Sequence, residues 1–206
     1  SELDRERKVE RVLGRQTGAK IGDVEVLDVG RQGSPGEGGV VDILGVDERG
    51  DTVVVELKRG RAPRDVVAQA LEYAGEIRNV DYDYLNERYR EFLRDEQGYT
   101  EPSEIPTLRE AHQDYFDLEE PLSKREFNDD QRLVVVGTDF GDVVLNMADF
   151  LRAKGVDVVA VEYSSYRDEE EDVELLTTDG IRRPLSEEPT STVSPASDKK
   201  DYGDLI

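Results

Sequence analysis

Two short runs of β-branched residues on either side of a turn constrain this chain more than any other feature. Val40-Val41-Asp42-Ile43-Leu44 and Val53-Val54-Val55-Glu56-Leu57-Lys58 both favour strands. Asp47-Glu48-Arg49-Gly50-Asp51 between them is a short loop with a glycine available for a positive φ. An antiparallel hairpin centred on Arg49 pairs positions whose numbers sum to 98: Val46 with Thr52, Leu44 with Val54, Asp42 with Glu56. Side chains alternate along a strand, so Asp42, Glu56 and Lys58 share one face while Leu57 points to the other. Two carboxylates set opposite each other repel unless something positive sits between them. A divalent cation does this, and Lys58 adds a fixed positive charge two residues on. The constellation reads as a metal site poised for phosphate chemistry.

Composition narrows the choice of metal. The 206 residues hold no Cys and one His, which excludes disulfides, zinc–thiolate sites, thiol nucleophiles and multi-histidine centres. Oxygen ligands remain, and they favour Mg²⁺ or Mn²⁺. Acidic residues number 49 against 27 basic ones, for a net charge of -22. Only 7 of the basic residues are Lys, the pattern of a protein that stays soluble in concentrated salt. Regular apolar periodicity argues against disorder as the reading of so acidic a chain. No apolar run is long enough to span a membrane and no signal peptide opens the chain, so a cytoplasmic protein with no membrane partner is expected.

The length suits one elaborated domain. A polar helix is expected over 3–14, a strand over 23–29 and a five-glycine loop over 30–39, read as a flexible connection rather than a phosphate loop because it lacks a Gly-Lys-Ser/Thr ending. The hairpin leads into a helix from Pro63 to Arg78, with Pro63 at its first position and Val66, Ala70, Tyr73 and Ile77 as its buried stripe. Residues 81–131 read as a helical insertion covering one side of the core, with helices near 83–97 and 106–118. Residues 132–184 complete the same domain with a strand at 132–137, a helix at 141–154, a strand at 156–163 and an edge strand at 173–178. The β-α-β order implies a parallel pair with a right-handed crossover. From 185 to 206 Ser, Pro, Thr and Asp dominate, as in a mobile tail.

An Asp, a Glu 14 residues later, x-Lys, and a helical Gln-x-x-x-Tyr resemble the PD-(D/E)XK nuclease superfamily. Within it, Val41-Asp42-Ile43-Leu44-Gly45-Val46-Asp47-Glu48-Arg49-Gly50, Val54-Val55-Glu56-Leu57-Lys58-Arg59-Gly60-Arg61-Ala62 and Val67-Ala68-Gln69-Ala70-Leu71-Glu72-Tyr73 resemble the nuclease domain of NucS-type, mismatch-specific archaeal endonucleases. The resemblance covers residues 1–80 and, more faintly, 132–178. It implies an α/β, restriction-endonuclease-like core: a mixed central sheet flanked by helices. It implies that Asp42, Glu56 and the Leu57 carbonyl are metal ligands and that Lys58 is the catalytic lysine. Glu10 matches the family's additional acid, with Glu6 as the fallback, and Gln69 and Tyr73 match the accessory pair bordering the site. The family's enzymes carry a separate N-terminal DNA-binding domain, whereas here the nuclease-type helix is expected to begin almost at Ser1, and 81–130 is read as lacking a recognisable counterpart in the family. Fold and chemistry therefore carry over better than the mismatch substrate.

Each residue also has a plainer reading. Glu-Leu-Lys alone commonly decorates the wet face of a strand, Glu10 is one acid among many on a polar helix, and Tyr73 also lies on a buried stripe. Residues 57–64 hold four cations and no acid, and positive charge at a helix start opposes the dipole, so Arg59, Arg61 and Arg64 are expected to contact DNA phosphates. His112 is read as an ordinary polar residue far from the motif. The expected function is a Mg²⁺- or Mn²⁺-dependent DNA endonuclease, possible as a homodimer or with a separate DNA-targeting partner. Two carboxylates nearby favour the ammonium form of Lys58, which argues for positioning over proton abstraction. The alternative is a non-catalytic nucleic-acid-binding or assembly module that retains the nuclease fold.

Overall fold

The computed structural model describes residues 18–31, 42–58, 61–99, 101–168 and 173–181. The expected helix at 3–14, most of the five-glycine loop and the tail from 185 lie outside the described residues, as do Glu6, Glu10 and Arg59. Seven strands form one mixed sheet: β1 (Gly18–Ile21), β2 (Val24–Arg31), β3 (Ile43–Val46), β4 (Thr52–Leu57), β6 (Gln131–Gly137), β8 (Asp157–Asp168) and β9 (Val173–Ile181). Their spatial order is β1-β2-β3-β4-β6-β8-β9, and β5 (Arg61–Ala62) pairs separately with β7 (Asp139–Phe140). The four helices of eight or more residues among the described ones are α1 (Val66–Ile77), α2 (Tyr82–Gln97), α3 (Leu108–Tyr115) and α4 (Asp142–Ala153).

The hairpin register matches the expectation: Leu44 pairs with Val54 and Val46 with Thr52, with Gly50 at φ 84° in the turn. Two crossovers then make parallel pairs, β4 with β6 and β6 with β8, and the expected edge strand is longer than foreseen, with β9 running antiparallel to β8. Parallel strands buried on both faces need continuous apolar runs, and Leu133-Val134-Val135-Val136 supplies one.

Each face has its own core. Leu44, Val54 and Leu133 pack with Ala70, Leu85, Tyr89 and Leu93 beneath α1 and α2, while Val135 and Ala160 pack with Val66, Val67 and Val144 beneath α1 and α4. Ile43, Val53, Val55, Leu57 and Val134 belong to the cluster on the opposite face. Within residues 81–131, α2 packs on β2, and α3 packs on α2 and β2.

The start of the first helix differs from expectation. Pro63 sits in a turn, its carbonyl accepting from Val66 N–H at 3.2 Å, and α1 begins at Val66. The buried stripe is Val66, Val67, Ala70, Ala74 and Ile77, whereas Tyr73 is only half-buried. A proline earlier in the turn supplies its fixed φ there as readily as at the first helical position.

His112 is not an ordinary polar residue. It is fully buried between Phe116 and Phe127, with Nε2 2.8 Å from the Asp47 carbonyl in the hairpin turn. A buried polar ring needs such a partner, and this one ties the insertion to the end of the hairpin away from Asp42. Asn128, at φ 64°, makes a second tie. Its Nδ2 donates to the carbonyls of Ile77 and Val80 at 2.8 and 2.9 Å, and its Oδ1 accepts from the Thr52 hydroxyl at 2.7 Å. The last carbonyl of α1 and the carbonyl of Val80 just beyond it are thereby tied to the start of β4.

Candidate active site

Asp42 stands one residue before β3, where the ladder with β4 ends. There its carboxylate replaces a backbone partner: Oδ2 accepts from Leu57 N–H at 2.6 Å. Both polar groups of a strand residue face the same neighbouring strand, so the Leu57 carbonyl turns to the Asp42 side too. The next residue faces the other way, and Lys58 N–H donates to Val136 O of β6 at 2.7 Å.

Glu56 points to the helix-covered face, between the positions of Asp42 on one side and Val135 on the other. It is only 3% exposed. Burial, and after it the negative charge of Asp42, raises its carboxyl to about 7, against the opposing pull of Lys58. The Lys58 ammonium lies 3.4 Å from Glu56 Oε2 and remains partly open to solvent. Leu57 faces the opposite core and is buried there. Asp42, Glu56, Leu57 and Lys58 are thus brought together as the pattern of alternation required.

The remaining expected residues are arranged more loosely. Gln69 is exposed near the start of α1. Tyr73, one turn further, is half-buried; burial raises its phenol, and the charge of Arg88 acts against that rise. Arg61 is exposed in β5, with Nε 3.5 Å from Asp139 Oδ2 and its guanidinium against Gly141, where an added Cβ would meet Nη2 at 2.8 Å. Arg64 is exposed in the turn before α1. Arg88, which no sequence motif marks, comes from α2 and lies over Gly30 of β2.

Among the described residues no group of three or more His, Asp or Glu side chains gathers as a metal cluster. The donor set is two carboxylates and a backbone carbonyl. Such a set suits a hard cation that keeps several of its own waters, as Mg²⁺ does. The crowding of two carboxylates at a buried position, with an elevated Glu56, is the property of this chain that a cation would relieve.

Residues 35–103 match the model of the endonuclease NucS C-terminal domain, and the match includes α2, so the expectation that 81–130 has no counterpart in the family does not hold for its first part. A search of curated proteins gives no match. Similar solved structures include an EndoMS–dsDNA complex, at 19% identity and TM-score 0.38, covering 77% of this chain and 44% of that one. A repair endonuclease from Pyrococcus abyssi is similar at 18% identity and TM-score 0.34, covering 79% and 47%. The chain spans less than half the length of either. Among the described residues, no helix is long and apolar enough to cross a membrane.

Proposed function

We propose that this chain is the nuclease domain of a divalent-metal-dependent DNA endonuclease of PD-(D/E)XK type. The observation that carries the reading is the meeting of Asp42, the buried Glu56 and Lys58 where β3 and β4 part, within the segment that matches the NucS C-terminal domain. Asp42, Glu56 and the Leu57 carbonyl would hold Mg²⁺ or Mn²⁺. When bound, such an ion activates water and offsets charge developing on the phosphate.

The chain's own groups divide the remaining work. The Leu57 N–H fixes the Asp42 carboxylate, so one of its oxygens is oriented before any ligand arrives. Glu56 is almost fully buried, where its charge acts more strongly than at the surface. Lys58, paired with Glu56 and partly open, is placed to orient a water or an anionic phosphate oxygen. Arg61 and Arg64, exposed beyond the ends of β4 and β6, supply cations for the flanking strand backbone, with Arg59 between Lys58 and Arg61 in sequence. Gln69 and Tyr73 border the site from α1. DNA is the proposed partner, with a homodimer or a separate targeting chain as the means of cutting both strands.

The test is cleavage of single-stranded, duplex, branched and mismatched DNA with Mg²⁺ or Mn²⁺, at ionic strengths from low salt to molar KCl. Loss of cleavage in Asp42→Ala, Glu56→Ala and Lys58→Ala, each folded by its melting curve, is the expected result. If no substrate is cut, or all three variants cut normally, the assignment is wrong. DNA binding without cleavage and without millimolar Mn²⁺ binding by calorimetry would instead identify a binding module that keeps the nuclease fold.

A further inference from the structure

Gly30 has no side chain, and the space that one would occupy is filled from another element. A Cβ built on Gly30 would lie 3.9 Å from Nη2 and 4.0 Å from Nε of Arg88. Gly30 pairs with Leu44 across β2 and β3, and Leu44 pairs with Val54 across β3 and β4. Cross-strand partners share a face, so the Arg88 guanidinium lies over the row Gly30–Leu44–Val54 on the helix-covered face. Asp42 and Glu56 belong to the next row of that face, about 7 Å along the strands and, relative to Gly30, one and two strands of about 4.8 Å further over. Tyr73 is close enough to Arg88 for its phenol to feel the guanidinium charge.

The surroundings of Arg88 are unusual for this protein. In a chain with 49 acidic residues, no hydrogen bond or ion pair joins Arg88 to another described residue. It is nonetheless half-buried, next to the buried stripe of α2 formed by Leu85, Tyr89 and Phe92. A partly desolvated guanidinium with no carboxylate partner among the described residues is suited to an anion with paired acceptors, and a phosphodiester is such an anion.

We propose that Arg88 is a phosphate-contacting residue that positions the nucleic-acid strand beside the Asp42–Glu56 site. This rests on the nuclease reading for the identity of the ligand, a phosphodiester of a DNA strand. It gives α2 a function beyond covering the core: this helix brings a cation to the carboxylate site from outside the hairpin and α1.

The experiment measures binding of fluorescent single-stranded and duplex DNA by the 206-residue chain in a chelator, across a salt series, and separately measures Mn²⁺-dependent cleavage. Arg88→Met keeps the packed stem and removes the charge; Arg88→Lys keeps a charge. Arg94→Gln, on the exposed side of the same helix, controls for the change in net charge. Arg88→Met should weaken binding roughly tenfold and make the salt slope shallower by about 0.9 on duplex, the value of one lost phosphate contact. KM should rise by the same factor while kcat stays within about twofold. Arg88→Lys should keep the wild-type slope, and Arg94→Gln should match wild type in both assays. Equal slopes for Arg88→Met and Arg94→Gln overturn the proposal even where cleavage is normal. Wild-type binding without cleavage removes the nuclease reading but leaves the slope comparison decisive. Absence of any wild-type DNA binding overturns both.

Discussion

The Asp42 carboxylate accepts a hydrogen bond from the Leu57 backbone N–H at 2.6 Å, taking the place of a strand partner where the β3–β4 ladder ends. One side chain therefore closes the sheet edge and sets its charge beside Glu56. Asp42→Asn retains an oxygen to accept from Leu57 but removes a negative charge that raises the Glu56 carboxyl. Without metal, the variant should melt about 2–4 °C higher, corresponding to about 1 kcal/mol of relieved repulsion. Metal-dependent cleavage should be abolished. A lower melting temperature in chelator would show that the carboxylate pair is not a stored cost.

His112 predicts a loss of stability in mild acid. Burial lowers its imidazole below the ordinary 6.5, although the Asp47 carbonyl pulls the other way. The folded state resists the proton that the unfolded chain accepts, so this contribution is complete above about pH 6.5 and is lost as the pH falls. Glu56 acts with the opposite sign. Raised from 4.5 to about 7, its contribution is complete below pH 4.5 and is lost as the pH rises toward 7. Melting curves in chelator from pH 5 to 8 for wild type, His112→Gln and Glu56→Gln separate the two. Relative to wild type, His112→Gln should lose less stability on acidification, and Glu56→Gln should lose less on alkalinisation.

Asn128 joins three segments with one amide. Asn128→Ala removes its bonds to the carbonyls of Ile77 and Val80, to the Thr52 hydroxyl and to the Gln131 side chain, and it forfeits a residue type tolerant of φ 64°. A loss of about 2–4 kcal/mol in urea unfolding is expected. Asn128→Asp should be almost as damaging, because it places a carboxylate against the Ile77 and Val80 carbonyls, removing the donor to both and leaving Ile77 only its backbone bond from Val80 N–H. A loss below 1 kcal/mol for Asn128→Ala would show that the network is not holding α1 to β4.

Gly45 is required by its neighbour strand. A Cβ there would collide with the Val26 side chain and lie 2.8 Å from the Leu27 carbonyl oxygen. The second contact is to backbone, so β2 itself would have to move. Gly45→Ala should cost about 1–3 kcal/mol or more and lower soluble yield, whereas Gly75→Ala on exposed α1, where the added Cβ meets nothing within 4 Å, should be neutral or stabilising.

The hairpin, its register and the alternation that separates Glu56 from Leu57 were all legible in residues 40–58, because β-branched runs and a glycine turn are local signals with a fixed period of two. The β6–α4–β8 crossover was legible for the same reason: two apolar strands flanking one amphipathic helix leave a parallel pair as the ready solution. Only the tertiary structure decided what crosses between distant segments. The burial of His112 against the Asp47 carbonyl joins residues 65 positions apart, and the bonds of Asn128 reach back 76 and 51 positions. The seat of Arg88 over Gly30 has no signal in either segment, since a lone arginine on a polar helix and a lone glycine near a glycine-rich loop each have ordinary explanations. Tyr73 shows the division within one residue. Its spacing from Gln69 is local and readable, but whether it packs in the core or faces a cation depends on where α2 docks, and that is set by the whole apolar surface of β2 rather than by any motif.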